Sequence, residues 1–179
     1  MKKIVISILV LILLVLVNLD SLRMWICKGQ LLPSLRQAVQ FFAPPSDLYE
    51  FMLNEPVDLS AGSSTISYTF TNKYAGKHTI GLLLRNWAMY PPTNIPPTFS
   101  LVFTFSPQSQ RMSQATVTNA LYPFWGLRGD GIALLEYTTP HDLPINQPIT
   151  MTVRVNRADP KLQEKHGPIA VYVQKQSEE

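Results

Sequence analysis

The 179-residue chain reads as an all-β protein: a single antiparallel immunoglobulin-like β-sandwich of about seven to eight strands, preceded by an N-terminal transmembrane helix and a short amphipathic helix. Three observations predict this. Apolar residues recur with period two in Ile66, Tyr68 and Phe70, in Phe99, Leu101, Phe103 and Phe105, and in Ile149, Met151, Val153 and Val155. Turn-forming residues break the chain at spacings of roughly ten residues, the rhythm of a sandwich or barrel. Beyond Pro44 no stretch carries the helical period for more than two turns, so the crossover helices that parallel strands need are missing.

Lys2 and Lys3 precede an unbroken apolar run from Ile4 to Val17. By length that run suits either a signal-peptide core or a short anchor. The flank from Val17 to Trp25 lacks the pair of small residues that a signal peptidase needs, which favours a retained anchor. Leu19, Leu22, Met24, Trp25 and Ile26 extend the apolar surface, and Trp25 suits the interfacial belt. The expected organisation is a signal-anchor over residues 1–27, a neck over 28–48 and an extracytoplasmic domain over 49–179. Residues 4–26 would sit in the lipid bilayer. Positive charge before the run favours a cytoplasmic N-terminus, although Arg23 and Lys28 reduce the asymmetry.

In the neck, Ser34 and Gln37 fit a capping box and Pro44-Pro45 a stop, predicting a helix from about Leu35 to Phe42. Leu35, Val39 and Phe42 share one face, which would lie on lipid headgroups or pack on the domain. So short a helix must dock on something to persist.

Beyond the three patterns above, strands are expected at residues 78–86, 116–121, 132–138 and 169–174, with a weaker one at 51–53. Gly76, closing the loop from Asn72, is the natural position for positive φ. Asp159-Pro160 followed by Lys161 to Gly167 reads as an N-cap, a first-turn proline, a short helix and a glycine stop. Among the fifteen prolines, Pro91, Pro92, Pro96, Pro97, Pro140, Pro144 and Pro148 would end strands and block edge pairing.

Charge and motifs narrow the function. Of fifteen Lys and Arg, two precede the apolar run, leaving thirteen against twelve Asp and Glu, a near-neutral remainder that disfavours nucleic acid as a partner. Cys27 is the lone cysteine, so no intrachain disulfide exists; the bulky Met24-Trp25-Ile26 before it does not fit a lipoprotein signal. His78, His141 and His166 are too scattered for a zinc spacing, and no catalytic, cofactor or metal constellation is expected. His141-Asp142 reads as a turn with an Asp cap, and Arg128-Gly129-Asp130, although it spells an adhesion tripeptide, as a glycine turn.

The candidate partner-binding residues are aromatic and sit where strands end: Trp87, Met89 and Tyr90 after one strand, and Tyr122, Phe124 and Trp125 leading toward Arg128. Such side chains bring large contact area at little entropic cost, although the same rings could plug the ends of the core.

Two segments, Leu162-x-x-Lys165-His166-Gly167-Pro168-Ile169-x-Val171-Tyr172-Val173 and Tyr68-x-Phe70-Thr71-x-Lys73-Tyr74-x-Gly76, give the chain a resemblance to a family of small bacterial membrane-anchored β-sandwich proteins, a domain of unknown function. The resemblance implies a sandwich in a bacterial envelope and transfers no functional residues. The resulting expectation is a single-pass protein of the bacterial inner membrane whose periplasmic, non-catalytic domain binds an envelope protein, in the manner of an immunity protein. The alternatives are an envelope carbohydrate-binding or glycan-hydrolase accessory domain and a structural spacer of an envelope complex.

Overall fold

The computed structural model describes residues 2–18, 20–28, 33–84, 98–106, 112–124 and 129–176. Three helices come first: α1 (Lys2–Asn18), α2 (Asp20–Lys28) and α3 (Pro33–Phe42). Nine strands and one further helix follow, as β1 (Phe51–Val57), β2 (Thr65–Thr71), β3 (Gly76–Leu84), β4 (Ser100–Ser106), β5 (Gln114–Val117), β6 (Tyr122–Phe124), β7 (Gly131–Thr139), β8 (Pro148–Arg157), α4 (Pro160–His166) and β9 (Ile169–Lys175). The strands form a five-stranded sheet ordered β1-β9-β3-β7-β6 and a four-stranded sheet ordered β2-β8-β4-β5. Every pairing among the described strands is antiparallel, as the missing crossovers demand.

The period-two patterns become the core. Phe99, Leu101, Phe103 and Phe105 are fully buried, as are Ile149 and Met151, and they meet Ile80, Leu82, Val171 and Val173 from the facing sheet. Thr104, Ser106, Thr150 and Arg154, at the intervening positions, are exposed. A bulge opposite Ile80 and Gly81 inserts Leu134 into β7. The inward phase therefore passes from Ile132 to Tyr137 and Thr139, and Glu136 turns outward.

One expectation changes. The strand foreseen over 116–121 ends at Val117, and the chain then crosses to the other sheet, where Tyr122–Phe124 adds an edge strand. Pro123 is tolerated there because an edge strand leaves one row of backbone groups unpaired, and Pro56 stands similarly in the edge strand β1. Within residues 1–27, where a spanning helix is expected, α1 covers Lys2–Asn18 and α2 covers Asp20–Lys28, and Leu19 lies outside the described residues. Among the described residues no helix is long and apolar enough to cross a membrane.

The neck helix starts two residues earlier than the predicted boundary, and it docks as its length requires. Val39 of α3 packs with Ile26 and Cys27 of α2, with Leu48 and with Tyr74 from the β2–β3 turn. The Ala75 amide donates to the Cys27 carbonyl at 3.3 Å. Cys27 is thus a small apolar filler under the domain. The Tyr74 hydroxyl donates to Asp47 Oδ1 and Lys73 Nζ to Asp47 Oδ2 at 2.8 Å. Partial burial works against the Asp47 charge, but the bonds from Lys73 and Tyr74 outweigh it and hold the carboxyl below its ordinary range.

At the same end of the sandwich Gly76 opens β3 with φ of 113°, a left-handed conformation that a β-branched residue resists. Gly76→Val is expected to destabilise the protein by about 1 kcal/mol or more. An unchanged melting temperature would refute this. Asp159 caps α4 by accepting from the Leu162 amide, and Gly167 ends the helix with φ of 69°, as the sequence pattern foresaw.

Candidate binding face

The outward face of the five-stranded sheet carries the one predicted partner-binding side chain that the structure describes. Cross-strand register aligns Tyr172, Gly81, Ala133 and Tyr122 in one row over β9, β3, β7 and β6. Gly81 and Ala133 make a low floor between two tyrosines. A Cβ on Gly81 would meet the Ile132 carbonyl oxygen well inside van der Waals contact, and would stand 2.5 and 2.6 Å from Cε1 and Oη of Tyr172. The Tyr172 ring therefore lies directly on the glycine backbone and is 2% exposed although it points away from the core. Phe51 covers its other side, with ring centroids 5.5 Å apart.

Tyr122 borders this floor and is 38% exposed. Its hydroxyl donates to Glu136 Oε1 at 2.7 Å. Gln176 Nε2 donates to the same carboxylate oxygen at 2.7 Å, and is also bonded to the Tyr122 hydroxyl and to Thr79 Oγ1. The bonds from Gln176 and Tyr122 hold Glu136 below the ordinary carboxyl range, outweighing partial burial, and Lys77 adds to them. Burial pushes the phenol of Tyr122 up. Burial also raises Tyr172, with the neighbouring Tyr122 adding to it. At neutral pH the cluster is an ionised acceptor beside neutral phenols and an amide. That chemistry recognises hydrogen-bond donors on a partner.

Of the other aromatic candidates, Trp87, Met89, Tyr90, Trp125 and Arg128 lie outside the described residues. Phe124 closes β6 and its side chain is likewise outside them. The strand ends flanking those segments share one pole. β3 runs from Gly76, beside α2 and α3, to Leu84, a distance of about 25 Å at roughly 3.3 Å per residue. Leu83 of β3 and Phe124 of β6 both pair with Gly131 at that far pole.

Glu136, Gln176, Thr79 and Tyr172 were not singled out as a group by sequence reasoning. The usable signal was Gly81 inside an apolar strand, since a strand-interior glycine marks a close approach by another group. Three further carboxylates do local structural work. Asp58 accepts from Ser60, Asp142 from the Thr138 amide, and Asp159 from Thr98 and the Leu162 amide. The His141-Asp142 pair is thus the turn with an Asp cap that the sequence predicted. Among the described residues no group of three or more His, Cys, Asp or Glu could hold a metal ion.

No family model matches the chain, and no curated protein matches it significantly. A solved structure described as "A novel family GH115 4-O-Methyl-alpha-glucuronidase, BtGH115A, with specificity for decorated arabinogalactans" is similar over 69% of this chain, at 10% sequence identity and a TM-score of 0.34. This chain spans 16% of that one, and a likeness at this level carries no argument about fold or function.

Proposed function

We propose that the protein is a membrane-anchored, non-catalytic binding module of the bacterial envelope, held in the inner membrane through residues 4–26, with its sandwich in the periplasm presenting a docking surface to an envelope protein. The observation that carries the reading is the surface of α1. Val5, Ile6, Leu14 and Val15 are exposed, and so are the consecutive residues Ile8, Leu9, Val10, Leu11 and Ile12. Successive helical residues are about 100° apart, so those five cover the whole circumference. A helix apolar on every side is buried in a large protein core or in lipid, and neither buried cluster of the described residues includes α1, which favours lipid.

The polarity of the sandwich supports the second half of the reading. α2 and α3 occupy one pole, and the strands leading to the segments with Trp87 and Trp125 end at the other. A partner engaging that far pole would stand clear of the bilayer, as an immunity-type role against an envelope-acting toxin requires. Glycan binding is the second reading, favoured by the Tyr122–Glu136–Gln176 network, whose carboxylate and amide suit sugar hydroxyls.

Two measurements on the full chain test this. The protein should stay with membranes through carbonate extraction while its C-terminal domain is cut by protease added to spheroplasts; a trimmed domain free in the periplasm would refute anchoring. Trp87→Ala and Trp125→Ala should leave melting nearly unchanged yet abolish cross-linking to an envelope protein. Severe unfolding would instead make these rings core. Retention on immobilised envelope glycan, lost in Tyr122→Ala, would favour the second reading.

A further inference from the structure

We infer that α2 and α3 form a collar seated in the headgroup boundary of the bilayer, with Trp25, Phe41 and Phe42 turned into lipid, so that the sandwich stands on the membrane at a fixed orientation. The inference rests on the anchored reading and adds a second lipid contact and its consequence for the domain.

Three independent features converge on it. First, the collar has two faces of opposite fate. Ile26, Cys27 and Val39 are buried against Leu48 and Tyr74, whereas Trp25 is 66%, Phe41 77% and Phe42 63% exposed. Phe41 and Phe42 pack edge to face, with centroids 4.8 Å apart, so they present one apolar knob. Large aromatic residues left in water on helices already docked by their other side mark a contact surface.

Second, the collar adjoins the proposed anchor. Trp25 stands on α2 and the Phe41-Phe42 knob on α3, the two helices next in the chain after α1, and Trp is a side chain that the boundary favours.

Third, the charge matches. From Asp20 to Pro45 the chain carries Arg23, Lys28 and Arg36 against Asp20 alone, a net charge of +2. Such a stretch is attracted to anionic headgroups. A protein partner covering the knob has no comparable support, while lipid is already the solvent proposed for the adjoining helix.

Rigidity follows from the inner face. The collar is fused to the sandwich by the buried cluster, by the hydrogen bond from Ala75 to Cys27, and by the Asp47, Lys73 and Tyr74 bonds just beyond it.

The test uses the full chain reconstituted into vesicles of phosphatidylethanolamine and phosphatidylglycerol. An environment-sensitive fluorophore is placed on single cysteines at Phe41→Cys, Phe42→Cys, Leu9→Cys and Thr104→Cys in a Cys27→Ala background. Doxyl groups near the top of the acyl chain should quench positions 41 and 42 severalfold more than position 104, which lies on the exposed face of the four-stranded sheet. Aqueous iodide should show the reverse order. If position 9 is quenched by lipid while 41 and 42 respond to iodide like 104, the anchor stands and the collar proposal falls. Shielding of 41 and 42 from both quenchers would mean that protein covers the knob, and would also overturn it. Loss of quenching at position 9 would sink the anchored reading together with this one. Measuring both neighbouring positions guards against a local effect of either substitution.

Discussion

Replacing Gly81 with alanine is expected to destabilise the sandwich by about 3 kcal/mol or more, a large share of the roughly 5–15 typical of a domain. Gly81 lies in β3, the central strand of its sheet, hydrogen-bonded on one side to β7 and on the other to β9. The added methyl would collide with the Ile132 carbonyl, which belongs to backbone and cannot swing away, and with the Tyr172 ring. Relief requires β3 and β7 to separate where the bulge already interrupts their ladder, and it requires Tyr172 to leave its buried seat. The measurement is thermal or denaturant melting of the detergent-solubilised chain. Gly62→Ala is the control, since nothing lies within 4 Å of a Cβ there, and it should shift stability by no more than about 0.5 kcal/mol. Adding Tyr172→Ala to Gly81→Ala should restore less than half the loss, because the carbonyl collision persists. Full recovery would show that the ring, and not the backbone, sets the limit.

How much of this could be read in the residues themselves depends on whether the deciding interaction is local. The alternation in Phe99 to Phe105 and Ile149 to Val155 predicted buried faces because period two is a property of each strand alone. Asp159, Pro160 and Gly167 announced α4 because caps are satisfied within a few residues. The break after Val117 was not legible: whether a chain continues or crosses to the other sheet is decided by what waits there, here the free edge of β7. The alternation in β7 fails at Leu134 for a similar reason, since the bulge answers to its partner strand. The face around Tyr122 assembles Thr79, Glu136 and Gln176, which are 43, 14 and 54 residues away in sequence. Linear spacing could name Tyr122 but not the carboxylate that holds it.

Val39 illustrates the intermediate case. Helical spacing placed it with Leu35 and Phe42 on one apolar face, yet only Val39 is buried, while Phe42 joins Phe41 in solvent. Periodicity reports that a face is apolar and leaves open what covers it. In α3 the covering is split between Tyr74 of the sandwich on one side and the proposed lipid contact on the other.

Acidification from pH 7 to about 4.5 should weaken the fold through the buried imidazole of His78. The ring stacks on Tyr137 with centroids 5.1 Å apart, and Nδ1 donates to the Gly76 carbonyl at 2.9 Å. Nε2 is buried with no hydrogen-bond partner among the described residues. Burial pushes the pKa from 6.5 down to about 3; the bond to Gly76 opposes this, and the positive charge of Lys175, opposite His78 in the β3–β9 register, adds to it. The folded state thus holds the ring neutral over a range in which the unfolded chain binds a proton. A depressed basic pKa contributes stability that is complete above about 6.5 and is lost as pH falls toward 3. At 1.36 kcal/mol per unit, the two units down to pH 4.5 correspond to about 2.5 kcal/mol, or a fall in melting temperature of roughly 10 °C. The carboxylates held low, Asp47, Asp58, Glu136 and Asp159, add their own loss only nearer and below their ordinary range, below the window in which His78 acts. His78→Asn keeps a donor near the Gly76 carbonyl and removes the titration. It should cost about 1–2 kcal/mol at pH 7 from lost stacking and be flat between pH 6.5 and 4.5. A wild-type melting temperature that does not fall over that window, or an equal slope in the variant, would show that the fold does not depend on keeping this ring uncharged.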